Sequence, residues 1–280
     1  MPAETKPRET QNIVAPETSP LLVKMLTFIK PKLGEVKSIY YPCSGSDISV
    51  TQVFPDAKVL FVDNNKAIVE ALKKADFQAR EEDATKFKPD TSSDLVLLEN
   101  PQIGPEKMVE AVKEEGFVAC NNWSLTADHM YKNPDFKIVG VVNAGDNDEL
   151  TYDEKDLDDY FKPVETEDEF KKSKSGLFGI NYDQAREIVM GIFKVDTDIL
   201  KHYKELLEQA KKAALVQKAE YEKQHPGETV GLDERLLAFE VNGRTISVPP
   251  LPKKKTSSVD FFVFQKIKKE EAKPEEQKAA

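Results

Sequence analysis

The stretch Ile39-Tyr40-Tyr41-Pro42-Cys43-Ser44-Gly45-Ser46-Asp47 constrains the fold most, because a run of branched and aromatic residues stops abruptly in a short polar turn that carries a glycine. Such a run reads as a strand buried on both faces, as in a parallel sheet. A glycine directly after it lets the chain turn tightly or lets a ligand approach the backbone. Eighteen residues beyond Gly45 a second apolar run, Val59-Leu60-Phe61-Val62, ends in Asp63, followed by Asn64 and Asn65. In open α/β sheets an acid in that place accepts hydrogen bonds from ribose hydroxyls.

The rest of the chain repeats this rhythm. Ser19-Pro20 supplies an N-cap and a first-turn proline to an amphipathic helix with Leu21, Leu22, Met25, Leu26 and Ile29 as its stripe, ending near Pro31. Strands are expected at 36–41, 59–63, 77–80, 94–98, 117–120 and 138–142, with helices near 48–53 and 105–114 and one capped by Asn65, with Ala67, Ile68, Ala71 and Leu72 facing inward, between them. Strands alternating with helical patterns are the mark of right-handed βαβ units in a doubly wound parallel sheet. Beyond Asn143 the pattern changes. Residues 146–169 are dense in acids and read as a solvated face, helices follow at 183–193 and 197–223, and Asn242-Gly243 joins two short strands, 237–241 and 244–248, as a hairpin. The Pro249-Pro250-Leu251-Pro252 segment is a stiff connector, and Val259-Asp260-Phe261-Phe262-Val263-Phe264 is one last strand.

A chain of 280 residues can bury a large core and is long for one compact domain. Its net charge of −10 and the absence of a basic stripe interleaved with aromatics argue against nucleic acid. No apolar run approaches a membrane span, and residues 1–18, rich in Pro, Glu and Thr, read as a disordered tail rather than a leader, so a cytoplasmic protein is expected. Cys43 and Cys120 sit at strand ends and are expected as thiols rather than a disulfide. The three histidines have no ligand partners at metal spacing, so no metal is assigned.

The order of these pieces resembles a class I S-adenosylmethionine-dependent methyltransferase, across roughly residues 19–143 plus 259–265. The resemblance implies a doubly wound, seven-stranded Rossmann-like α/β sheet whose last strand, 259–264, runs antiparallel between the fifth and sixth. Residues 19–144 would then be the core and 145–258 an α-rich insertion with a β-hairpin between the last two strands. Residues 259–267 complete the core, and 268–280 form a charged, disordered tail. Carried over residue by residue, the cofactor loop falls on Tyr41, Pro42, Cys43, Ser44, Gly45 and Asp47. The ribose-binding acid falls on Asp63 with Asn64 beside it, the adenine contacts on Asp83 and Ala84, and the segment after the fourth strand on Asn100-Pro101. Three departures stand out: Gly45 alone remains of the usual glycine-rich loop, Tyr41 replaces an acid, and Gln102-Ile103 replace the end of the Asn-Pro-Pro-aromatic motif.

Each residue has a competing local role. Gly45 can serve a turn, Asp63 can cap the next helix, Asp83 can stabilise its own turn, and Asn100 and Asn122, the catalytic candidates, with Asn100 also a candidate cofactor contact, can shape loops. Trp123 walls a pocket or covers a sheet edge. Asp47 places negative charge where a dinucleotide phosphate would sit, which favours a sulfonium cofactor over NAD. Methyl transfer to a small molecule or a protein is the expected activity. A catalytically silent Rossmann-like binding module and an NAD-dependent oxidoreductase are the alternatives. The insertion's striped helices offer a surface for a homodimer.

Overall fold

The computed structural model describes residues 15–99, 101, 104–122, 125–144, 149–166, 168–169, 199–226, 238–241, 244–247, 253–255 and 261–268. The chain divides into two compact units, one of Met1–Lys155 with Ser258–Ala280, the other of Asp156–Ser257.

In the first unit α1 (Pro20–Leu33) starts at Ser19, whose hydroxyl accepts from the Leu22 amide at 3.3 Å. It buries Leu22, Met25, Leu26, Ile29 and Leu33, the spacing of a single helical stripe. Then come β1 (Ser38–Pro42), α2 (Ser49–Val53), β2 (Lys58–Asp63), α3 (Lys66–Lys74), β3 (Ala79–Glu81) and β4 (Ser93–Leu98). A 3-10 turn (Met108–Ala111) leads into β5 (Val112–Asn121), followed by α4 (Thr126–Lys132), β6 (Phe136–Ala144) and β7 (Leu150–Asp153). The second unit holds α5 (Ile199–Gln224) and the hairpin β8 (Ala238–Val241) and β9 (Arg244–Ser247), after which β10 (Phe261–Lys266) returns to the first.

The main sheet has eight strands in the order β3-β2-β1-β4-β5-β10-β6-β7. β1 is parallel to β2 and β4, and β4 to β5. β10 is antiparallel to both β5 and β6, so those two share one direction. This is the arrangement the resemblance implies, with one strand added. Five positions of the central strands, Ile39, Tyr41, Leu95, Leu97 and Val263, lie in one core with the α1 stripe, Val50, Phe61, Val69 and Leu72.

Four expectations need correction. The eighth strand, β7, lies inside the acidic run read as solvated: Leu150 and Tyr152 alternate with Thr151 and Asp153, and the four residues pair with 141–144. Tyr152 also fills the space above Gly140, where an added Cβ would meet its ring, so the glycine makes room for an aromatic on the neighbouring strand. Residues 105–114 form no α-helix. Met108, Val109, Ala111 and Val112 fit a helical stripe, yet the first three sit on a 3-10 turn and Val112 already pairs with Ser93. Glu115 at φ 60° then shifts the register before Phe117 meets Leu95, so β5 starts five residues early and carries an irregularity. The third strand is displaced to Ala79–Glu81. α4 was not expected at all, because its buried face is only Thr126, Ala127 and Met130, too short to show a period.

Within the second unit α5 begins and ends within two residues of expectation, and the hairpin pairs Val241 with Arg244, leaving two residues for the turn. Backbone amides of Lys254 and Lys255 donate to Lys162 and Asp159 at 3.0 Å, and Pro163 bridges Lys253, so the two ends of this unit close on each other. The expected helix at 183–193 and the connector 249–252 lie outside the described residues.

Candidate functional site

The carboxyl ends of parallel strands are where open sheets bind ligands, because the chain splays into loops there. Here β1, β2 and β4 end in Pro42, Asp63 and Leu98, with Glu99 directly after β4.

The loop after β1 is a tight polar turn. Cys43 has φ 53° and Gly45 φ 57°, both in the left-handed region, where a non-glycine residue costs about 1 kcal/mol or more. The loop is held by the Cys43 amide donating to Val62 at 2.7 Å and by the Asp47 amide donating to Ser44 at 3.2 Å. Beside Gly45 a Cβ would meet nothing within 4 Å, so the backbone there is open to approach. Pro42 and Ser44 are buried, and the Ser44 hydroxyl donates to the Gly45 carbonyl at 3.2 Å.

Asp63 ties the two loops together. Its Oδ2 accepts from the Gly45 amide at 3.0 Å and its Oδ1 from the Asn65 amide at 2.8 Å, leaving each oxygen a further lone pair. Helix capping falls instead to Asn65, whose side chain accepts from Ala67 and Ile68. Asn64 is exposed beside it. The Cys43 thiol is pushed up to about 11 by burial, then by the charges of Asp63 and Asp83, so these three residues converge and the thiol stays protonated at neutral pH.

Asp83 and Asn122 are turned toward local partners. Asp83 accepts from the Thr85 hydroxyl at 2.6 Å and the Thr85 amide at 2.9 Å and pairs with Lys86 at 2.9 Å. The Thr85 hydroxyl first, then Lys86 and the Thr85 amide, hold its carboxyl down at about 2. Ala84 beside it is buried. Asn122 donates to Asp128 at 2.8 Å and accepts from the Asp128 amide at 3.2 Å, bracing the start of α4. Asn100 and Trp123 lie outside the described residues.

Sequence reasoning missed Glu99. Tyr41, in the place of the expected acid, is 1% exposed, and its hydroxyl lies 3.1 Å from Glu99 Oε2 and 3.3 Å from Asp47 Oδ2. One hydroxyl proton cannot serve both carboxylates, so the cluster has room for a second proton. Burial and then the Asp47 charge raise the Glu99 carboxyl above its ordinary range, while the Tyr41 hydroxyl opposes the rise. The signal was an acid straight after the strand most apolar on both faces. A carboxyl raised by folding stabilises fully below its unfolded value, and that stability is lost as pH rises through its folded value. Glu99→Gln, which removes the titrating group, is therefore expected to flatten the loss of stability between a pH at the ordinary carboxylate value and neutral pH. Urea unfolding midpoints at the two pH values measure it, and an unchanged slope would refute the assignment.

Among the described residues no group of His, Cys, Asp and Glu is placed to hold a metal, and no helix is long and apolar enough to cross a membrane. No protein-family profile matches the chain, and no curated protein sequence does. Solved structures similar to it include the N-methyltransferase NodS from Bradyrhizobium japonicum with S-adenosylhomocysteine, at 13% identity over 36% of this chain and 62% of that one, TM-score 0.31. A putative caffeoyl-CoA O-methyltransferase from Staphylococcus aureus is similar at 14% identity over 44% and 79%, TM-score 0.37. The plantazolicin methyltransferase BpumL with S-adenosylhomocysteine is similar at 15% over 36% and 46%, TM-score 0.31. The chain thus spans less than two thirds of the first and last of these, and its fold assignment rests on strand order and direction.

Proposed function

We propose that the carboxyl edge of the sheet binds S-adenosylmethionine and that the protein is a methyltransferase acting on a small-molecule or protein acceptor. The observation that carries this reading is Asp63, fixed through the Gly45 and Asn65 amides at the end of β2 with a lone pair free on each oxygen, next to open backbone at Gly45. A pair of ribose hydroxyls is the ligand such a carboxylate suits.

The other residues at this edge fit the same cofactor. Asp47 and Glu99 together suit a cation, and S-adenosylmethionine brings an ammonium and a sulfonium. The Asp47 Oδ1 takes the Ser49 amide at 2.6 Å, the donor a dinucleotide phosphate would need at the start of α2, and this favours a sulfonium nucleoside over NAD. When bound, the cofactor supplies an electrophilic methyl group, and the chain's part is to hold donor and acceptor in line.

Calorimetry with S-adenosylmethionine, S-adenosylhomocysteine and NAD tests the reading. The two adenosyl ligands are expected to bind and NAD is not. Asp63→Ala is expected to weaken S-adenosylhomocysteine by roughly 1.5–3 kcal/mol, about ten- to a hundredfold, while the protein stays folded. Equal binding by the variant, or binding of NAD alone, would overturn it. Methyl incorporation from labelled cofactor into a cell extract separates an enzyme from a silent binding module.

A further inference from the structure

The segment ahead of α1 reads in sequence as the end of a disordered tail, yet its last residues, 15–18, are ordered and pair with the loop after β1. The Glu17 amide donates to the Ser46 carbonyl at 2.9 Å and the Ile48 amide donates to the Glu17 carbonyl at 2.8 Å, so Glu17 forms a parallel bridge to Asp47. The Ser46 hydroxyl donates to Glu17 Oε1 at 2.9 Å. Two residues on, the buried Ser49 hydroxyl accepts from the Ser19 amide at 2.7 Å and donates to the Ser19 carbonyl at 3.4 Å.

Loop residues 45–47 are thus clamped from two sides: Asp63 holds Gly45, and Glu17 holds the carbonyl and the hydroxyl of Ser46. Asp47 lies between Ser46 and Ile48, both bonded to Glu17, and its carboxylate faces Tyr41 and the Ser49 amide. With left-handed backbone at both Cys43 and Gly45, the loop has little of its own to keep this shape, and the surrounding bonds must over-determine it.

We infer that Glu17 is a positioning residue for the cofactor site: the strap it makes across the loop after β1 sets how tightly the site binds S-adenosylmethionine. This rests on the cofactor reading above. Whatever the strap does for ligand affinity, ligand must do in return for the strap, because coupling between two sites is reciprocal.

Glu17→Pro removes the amide that donates to Ser46, and Glu17→Ala removes the side-chain link alone. Calorimetry with S-adenosylhomocysteine is expected to show about tenfold weaker binding for the proline variant and about two- to threefold for the alanine variant, the scale of one lost backbone bond and one lost exposed bond. Melting temperatures are expected to stay within about 2 °C of the wild type, since Glu17 is exposed and buries no apolar surface. In the wild type, the ligand is expected to slow hydrogen exchange at the Glu17 and Ile48 amides. Wild-type affinity in both variants would overturn the inference and leave the cofactor reading intact. So would an affinity loss that merely follows a fall in melting temperature, which the alanine variant checks if the proline variant folds poorly. A wild type that binds no S-adenosylhomocysteine overturns both readings, and the unmutated arm shows this first.

Discussion

Deletion of residues 259–280 is expected to leave an insoluble protein. β10 is the link between β5 and β6: Phe261 pairs with Asn121 on one side and Val142 on the other, and Val263 with Ala119 and Gly140. Phe261, Phe262, Val263 and Phe264 are each 0–3% exposed. At about 1.5–3 kcal/mol per buried large apolar side chain, their loss removes roughly 6–12 kcal/mol, as much as the whole stability of a typical domain. It also bares two long strand edges facing each other, a template for pairing between molecules. The point variant Val263→Asp keeps the chain length and is expected to cost about 4 kcal/mol or more by burying a carboxyl with no partner. Urea unfolding measures the variant, and the soluble fraction after expression measures the deletion. A fragment of residues 1–144 that is soluble and melts cooperatively would refute the role given to β10.

The strand itself was legible from the apolar residues of 259–264, and its place between β5 and β6 only from the resemblance to class I methyltransferases. β1, β2 and β4 were legible because each is an apolar run closed by a polar turn, and parallel pairing demands the crossovers between them. The misses share one cause, shortness or ambiguity of pattern. β7 is four residues among acids, and nothing in Leu150-Thr151-Tyr152-Asp153 announces a strand until Gly140 opens room for Tyr152. The apolar positions at 108, 109, 111 and 112 serve a helix or a turn followed by a strand equally well, and the deciding feature was the left-handed Glu115.

At the candidate site, sequence put Gly45 and Asp47 in the loop after the first strand and Asp63 at the end of the second, and the structure has them in the loop after β1 and at the end of β2. It could not say that Asp63 grips the Gly45 amide, that Tyr41 turns inward between two acids, or that Glu17 reaches the loop. Those are contacts between segments far apart in the chain, and residue type alone does not encode them.

The opposite edge of the sheet offers a separate measure of what holds the fold. Asp94, at the start of β4, accepts from the Lys37 amide at 2.9 Å, the Ser38 amide at 2.8 Å and the Ser38 hydroxyl at 2.8 Å, and pairs with Lys113 at 2.7 Å. It therefore fastens the entries of β1, β4 and β5. Asp94→Ala leaves those donors without their acceptor and is expected to cost about 2–3 kcal/mol, read as a lowered urea midpoint. Asp94→Asn, which keeps an acceptor but no charge, is expected to cost less. Burial pushes the Asp94 carboxyl up, but Lys113, Ser38 and the two backbone amides outweigh it and hold the carboxyl below its ordinary value. A carboxyl lowered by folding stabilises above its unfolded value of about 3.9, and that stability is lost as pH falls through its folded value. The alanine and asparagine variants are thus expected to lose less stability than the wild type between pH 5 and pH 2. The strand separates Asp94 from the carboxyl edge by roughly 15 Å, so under the proposed function S-adenosylhomocysteine affinity is expected to match the wild type at neutral pH in the asparagine variant. An acid-unfolding curve identical to the wild type's would mean that the charge on Asp94 does not fasten these strands. A loss of affinity would mean that the two edges of the sheet are coupled.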